Sequence, residues 1–242
     1  GSAHEAACCV ELVGVLLDEC GWDVVVALGP LLEPMLRLAA SDASPPEVRR
    51  KCVDAHLAGV QALLANDMGP PAGSLEPWLA VHAALCVGVE GWSEGDRVAC
   101  AFKAVRTVTA LSRHRALQEA LAGAMEEVLR PACLLVQQIE AGYSKAVVHA
   151  DDGGASEEDG GVAQLIAQVM ELVQSMLLLP RLRLVLKSRV RSMLNLLVPF
   201  MRITEHQVAA WRADPNEFLA HEDDEHVQGC AVRLSGEGLV GE

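Results

Sequence analysis

Two clusters of carboxylates are the side chains in this sequence best suited to binding chemistry. The first comprises Asp151, Asp152, Glu157, Glu158 and Asp159 among glycines, and the second comprises Glu222, Asp223, Asp224 and Glu225 between His221 and His226. Carboxylates and imidazoles ligate metals, but the spacing here fits neither an EF-hand nor a zinc site. We therefore predict no metal, and we interpret both clusters as loops that attract a cationic partner. The alternative is that they only keep the chain soluble.

No arrangement of residues typical of catalysis occurs. The sequence contains no glycine-rich phosphate loop, nucleophile elbow or HExxH motif. His56 and His82 fall inside helical patterns, where we interpret them as packed or surface residues. The eight cysteines include no CxxC pair and lie mostly in apolar helical patterns, which is typical of free thiols in a reducing compartment. The sequence thus predicts neither an enzyme nor a cofactor.

The charge of the chain indicates the kind of partner. With 33 acidic and 19 basic residues the net charge is −14, which argues against nucleic acid and favours a basic protein. One segment is positively charged instead. It has five cations within eleven residues, namely Arg181, Arg183, Lys187, Arg189 and Arg191. We expect an acidic loop to neutralise this segment, and an acidic partner is the alternative. The longest run without a charge, residues 77–89, is too short to span a bilayer, so no membrane is predicted.

The elements that carry these residues are predicted to be helices throughout. Apolar residues make up 51% of the chain but aromatic residues only 3%, so the apolar content is mainly Leu, Val, Ala and Met, which favour helices over strands. Breaks rich in Gly and Pro divide the chain into repeated helix pairs. We predict a single all-α array over residues 3–242, an α-α superhelix with pairs at 4–40, 46–89, 95–148 and 161–203. Loops are predicted at 149–161 and 221–226, and a truncated further repeat at 227–242. Gly1 and Ser2 indicate a cloning remnant.

The predicted helix that begins at Pro46 indicates stacking on two sides. Val48, Cys52, Ala55, Gly59 and Ala62 form one stripe of mostly small residues, and Val53, Leu57, Val60 and Leu64 form a second stripe beside it. A helix that is apolar on two faces must be covered by its own partner and by a neighbouring repeat.

Local motifs resemble a known repeat. The segment from Leu31 to Leu38, followed by Asp42 and then by Val48 and Arg49, resembles the HEAT consensus. That resemblance implies that Asp42 and Arg49 take part in hydrogen-bonded ladders between repeats.

A longer motif after Leu197 resembles the importin-β (karyopherin) superfamily of nuclear transport receptors, most closely its importin nine branch. The matching residues are Thr204, Glu205, Gln207, Trp211, Asp214, Pro215 and Phe218, followed by the second acidic cluster and then Val232 and Arg233. We interpret Trp211, Pro215 and Phe218 as anchors that hold this linker against the array.

The resemblance implies a receptor that shuttles between cytoplasm and nucleus. Such a receptor would carry basic cargo, such as histones and ribosomal proteins, and release it to the GTP-bound form of the GTPase Ran, with nucleoporins as further partners. The two acidic clusters would then bind cargo or Ran. The alternatives are an exporter of the same superfamily and a HEAT scaffold without a transport role.

Overall fold

The computed structural model describes residues 3–19, 22–88, 92–145, 157–202 and 205–216, together with 232, 235, 236, 238 and 239. At residues 22, 157–160, 206, 207 and 210 only the backbone is described. All regular structure in these ranges is helical, which confirms the all-α prediction. The α-helices are α1 Ala3–Glu19, α2 Trp22–Leu28, α3 Leu32–Ala39, α4 Pro46–Ala65, α5 Leu75–Val87, α6 Glu94–Arg113, α7 Gln118–Tyr143, α8 Glu157–Leu178, α9 Pro180–Leu186, α10 Val190–Leu197 and α11 Glu205–Ala213. Short 3-10 turns occupy Gly29–Leu31, Arg115–Leu117 and Val198–Met201.

The chain divides into two compact units, residues 1–132 and 133–242. The boundary falls inside α7, next to Pro131. Proline has no N–H to donate and interrupts the hydrogen bonding of a helix, so this is the point where α7 is locally weakest.

The first unit is built from two layers of helices. Helices α1, α4 and α6 lie side by side, and α3 and α5 form a second layer, with α3 packed on α4 and α5 packed on α6. A Cβ added to Gly14 of α1 would lie only 3.3 Å from Cα of Ala55. The small-residue stripe of α4 therefore lets α1 approach closely.

Helix α4 is covered on two faces, as its sequence predicts. Both apolar stripes are buried over most of their length, and only Ala62 and Leu64 at the end of the helix are half-buried. Pro46 occupies the start of the helix, where its missing N–H has no intrahelical partner to lose. At the other end of the helix, Asp67 adopts a positive φ of 56°, and the chain turns there into the loop before α5.

Helix α8 forms the core of the second unit. One apolar stripe of this helix is buried, and it consists of Leu165, Val169, Leu172 and Met176. By length and composition alone, the segment Gly161–Leu178 could cross a membrane, but 56% of it is buried inside the protein. A largely buried apolar helix is also what the core of a helical repeat requires.

Two boundaries differ from those predicted. Helix α8 begins at Glu157 rather than at 161, because three acidic residues in its first turn favour the positive end of the helix dipole despite the adjacent glycines. The helix expected through 181–197 is interrupted at residues 187–189, so that α9 and α10 are separate.

Candidate protein-binding surfaces

Most of the two predicted acidic clusters lies outside the described residues. The backbone of Glu157, Glu158 and Asp159 opens α8, whereas Asp151, Asp152 and the whole cluster from Glu222 to Glu225 lie outside the described residues. Among the described residues, no three His, Cys, Asp or Glu side chains are close enough to hold a metal ion. Cargo or Ran binding by these carboxylates stays a prediction.

Carboxylates on α1, α4 and α6 are already paired with cations from the neighbouring helix. Lys51 Nζ lies 2.6 Å from Glu11 Oε1, Arg50 Nη1 lies 3.3 Å from Asp96 Oδ1, and Lys103 pairs with Asp54. Because these pairs are partly exposed, each contributes little stability. Their arrangement still leaves this side of the first unit largely neutralised by its own charges.

The opposite layer exposes both apolar and charged side chains. Leu31 before α3, Leu38 on α3 and Val87 at the end of α5 are exposed to solvent. Arg37 on α3 is also exposed and pairs with Glu33 one turn before it.

Arg49 contacts Asp42 through the main chain of Asp42 rather than through its carboxylate. Its Nη2 donates a hydrogen bond of 2.6 Å to the main-chain carbonyl oxygen of Asp42, in the loop between the first two predicted helix pairs. The guanidinium is 4% exposed and lies over the ring of Trp92, 5.8 Å from the ring centroid. Arg49 therefore fastens the loop before α4 and the chain before α6, a contact with Trp92 that sequence spacing does not reveal.

A cluster of buried aromatic rings joins α4 to α5. His56 packs edge-on against Trp78 at 4.6 Å between ring centroids, and His82 lies 5.2 Å from His56. His56 Nδ1 donates to the carbonyl oxygen of Leu32 at 3.2 Å. No described atom bonds His56 Nε2, either nitrogen of His82 or Trp78 Nε1.

Both imidazoles of this cluster are neutral at physiological pH. Burial lowers the pKa of His56 to about 4, against a smaller opposing effect of the Leu32 hydrogen bond. Burial, together with the neighbouring His56, holds the pKa of His82 well below its ordinary value. Since neither residue is exposed, these histidines pack the core and are not accessible as bases.

The buried cysteines are poor nucleophiles. Burial raises the pKa of Cys52 and Cys100 to about 11 and that of Cys133 to about 12. Their thiols stay protonated at neutral pH, and the protonated thiol is unreactive. Cys8 and Cys9 are exposed on α1.

The predicted anchors after α10 are not buried where they are described. Trp211 on α11 is 52% exposed and Pro215 is exposed, while Phe218 lies outside the described residues. That Trp211 holds the linker against the array therefore stays a prediction. Four of the nine residues of α11 are polar or charged, and Val208 is also exposed.

Comparison with known proteins found a match over part of the chain. The chain is 28% identical over 124 residues to Importin-9 of Drosophila melanogaster, and the match covers 48% of this chain. The match covers 12% of the length of that relative. No family model matches the chain. The similarity supports a relation to the importin-β superfamily.

Proposed function

We propose that this chain is a protein-binding segment of a nuclear import receptor that carries basic cargo, such as histones and ribosomal proteins. The similarity to Importin-9 over 124 residues is the observation that carries the proposal. The layered packing of α1, α4 and α6 against α3 and α5 supports it, because stacked helices provide the extended surfaces that repeat proteins use for binding.

The charge of the chain supports a basic cargo. A net charge of −14 attracts cationic proteins over a distance of about one Debye length. Glu11, Asp54 and Asp96 are already neutralised by cations of neighbouring helices. The two acidic clusters, Asp151 to Asp159 and Glu222 to Glu225, concentrate carboxylates most densely along the sequence, and we take them as the proposed cargo-binding or Ran-binding residues.

The partners of the whole receptor follow from the same proposal. In the full-length protein, Ran in its GTP-bound form would release the cargo, and nucleoporins would be met during passage between cytoplasm and nucleus. The binding proposed here needs no metal, cofactor, nucleic acid or membrane.

Charge reversal tests where basic cargo binds. We would measure binding of a fluorescent histone pair to the 242-residue chain, to a variant with Glu222, Asp223, Asp224 and Glu225 changed to Lys, and to one with the five carboxylates of the first cluster changed to Lys. The control carries the same number of reversals as the first variant, at Asp18, Glu19, Glu76 and Glu127, which are exposed and lie outside both clusters.

The outcomes separate a site from a general charge effect. We expect one of the two cluster variants to bind the histone pair at least about tenfold more weakly than the control does. Equal weakening in the control would mean that binding follows net charge alone, and the site assignment would then fail. Unchanged binding in both cluster variants would exclude these carboxylates as the cargo site.

A further inference from the structure

A cationic surface lies on α9 and the first turn of α10, within the second unit. Arg183, Lys187 and Arg191 are exposed there, and Leu184 among them is 69% exposed. The backbone N–H of Lys187 donates to the carbonyl oxygen of Arg183, which places these two cations one helical turn apart on one face. We call these four residues the α9 surface.

The charges of the α9 surface are not neutralised within the described structure. Arg183, Lys187 and Arg191 form no ion pair with any residue that the structure describes. Arg189 differs from them, because it is half-buried and its charge acts on the thiol of Cys133.

Arg183 and Lys187 lie at the C-terminal end of α9, where cations favour the helix dipole, although the two repel each other at a spacing of one turn. Arg191 lies in the first turn of α10, where a cation opposes the helix dipole, and that turn contains no acidic residue. Three exposed cations without an ion pair in the described structure, within a chain of net charge −14, are open to an external counter-charge.

Leu184 distinguishes between the sources of that counter-charge. A large apolar side chain amid cations is best covered by an acidic segment that also carries an apolar residue. The first acidic cluster of this chain lacks one, since residues 151–159 contain only Ala155 as an apolar side chain; residues 222–225 contain none, and Leu219 and Val227 flank them. A nucleic acid is disfavoured by the acidic chain and by the lack of any aromatic residue in 180–197 on which bases could stack.

We propose that the α9 surface docks an acidic segment of a partner protein, with a large apolar side chain of that segment covering Leu184. This surface has the opposite charge from the proposed cargo-binding clusters and is independent of them. The receptor would then bind an acidic protein and a basic cargo through different parts of the same chain.

Peptide binding tests the proposal. The probe is a short fluorescein-labelled peptide of Asp and Glu with one central Leu, and its matched probe has Ser in place of that Leu. Fluorescence anisotropy would be measured with the 242-residue chain at about 0.15 M salt, with the Arg183→Gln, Lys187→Gln, Arg191→Gln triple variant and with Leu184→Ser. A control triple variant neutralises Arg106, Arg115 and Arg130, which are exposed elsewhere.

The expected pattern is specific to the α9 surface. The triple variant should bind the peptide at least about tenfold more weakly, and the control should bind within about twofold of the unmodified chain. Leu184→Ser should weaken binding of the Leu peptide by about fivefold and leave the Ser peptide unchanged. Because Leu184 is exposed, this variant also tests the surface if the triple variant fails to fold.

Three results would overturn the proposal. The first is no saturable binding of the Leu peptide at concentrations up to about 100 μM. The second is tighter binding of a single-stranded RNA of equal charge, which would assign the surface to nucleic acid. The third is binding that appears only after the carboxylates of either acidic cluster, Asp151 to Asp159 or Glu222 to Glu225, are changed to their amides, which would show that the chain's own acidic residues occupy the surface.

Discussion

Acidification should weaken the first unit through its two buried imidazoles. His56 and His82 are neutral in the folded chain because burial lowers the pKa of each. In the unfolded chain each imidazole regains a pKa of about 6.5 and takes up a proton as the pH falls. Above about pH 6.5 the histidines therefore do not change the free energy of unfolding. As the pH falls from 6.5 towards 4, they lower it progressively.

The size of this effect follows from the pKa of His56. A fall from 6.5 to about 4 corresponds to a loss of about 2 kcal/mol in the free energy of unfolding between about pH 7.5 and pH 5. His82 adds a loss of the same sign, and its position next to His56 makes protonation of both rings still less favourable. One or two kcal/mol is a large share of the stability of an ordinary domain.

Urea unfolding followed by circular dichroism at both pH values measures the effect. In His82→Leu the loss of stability on acidification should be smaller than in the unmodified chain, because one buried imidazole no longer titrates. Leu85→Met, a change of similar volume in the same helix, is the control, because it removes no titrating group. An equal loss in His82→Leu and in the unmodified chain, within about 0.5 kcal/mol, would refute the reasoning.

Three further predictions concern packing and reactivity. Ala55→Leu should destabilise the chain by about 1–3 kcal/mol in urea unfolding, because Gly14 leaves no space for a larger side chain; a change below about 0.5 kcal/mol would contradict this close approach. Arg49→Lys should cost about 1–2 kcal/mol in the same assay, since a lysine cannot both bond the loop carbonyl and stack on an indole, and full stability would show that these contacts are dispensable. At about pH 8, Cys8 should be alkylated long before Cys133, as peptide mass mapping would show, because burial keeps the Cys133 thiol protonated; equal rates would contradict its burial.

The helices could be predicted because their signals are local. The two apolar stripes of α4 follow from spacing along one helix, and Pro46 marks its first turn. The sequence predicts the start of α8 four residues too late, because Gly160 and Gly161 disfavour a helix, whereas the acidic residues before them favour a helix N-terminus.

Contacts between helices could not be predicted in the same way. The meeting of His56 with Trp78 and His82 depends on how α4 and α5 are juxtaposed, which no spacing within either helix records. The ring of Trp92 under Arg49 is a contact of the same kind. Local spacing identified Trp211 as a rare large side chain, but whether it is buried depends on the surface that α11 meets.

The most direct test of the proposed transport role is the effect of Ran on cargo binding. Affinity for a fluorescent histone pair would be measured with a full-length receptor containing this segment, with and without Ran locked in its GTP-bound form. The proposal predicts that Ran-GTP weakens histone binding. Stronger binding in the presence of Ran-GTP would indicate an exporter, and histone binding that is absent or indifferent to Ran-GTP would contradict an import receptor of this kind.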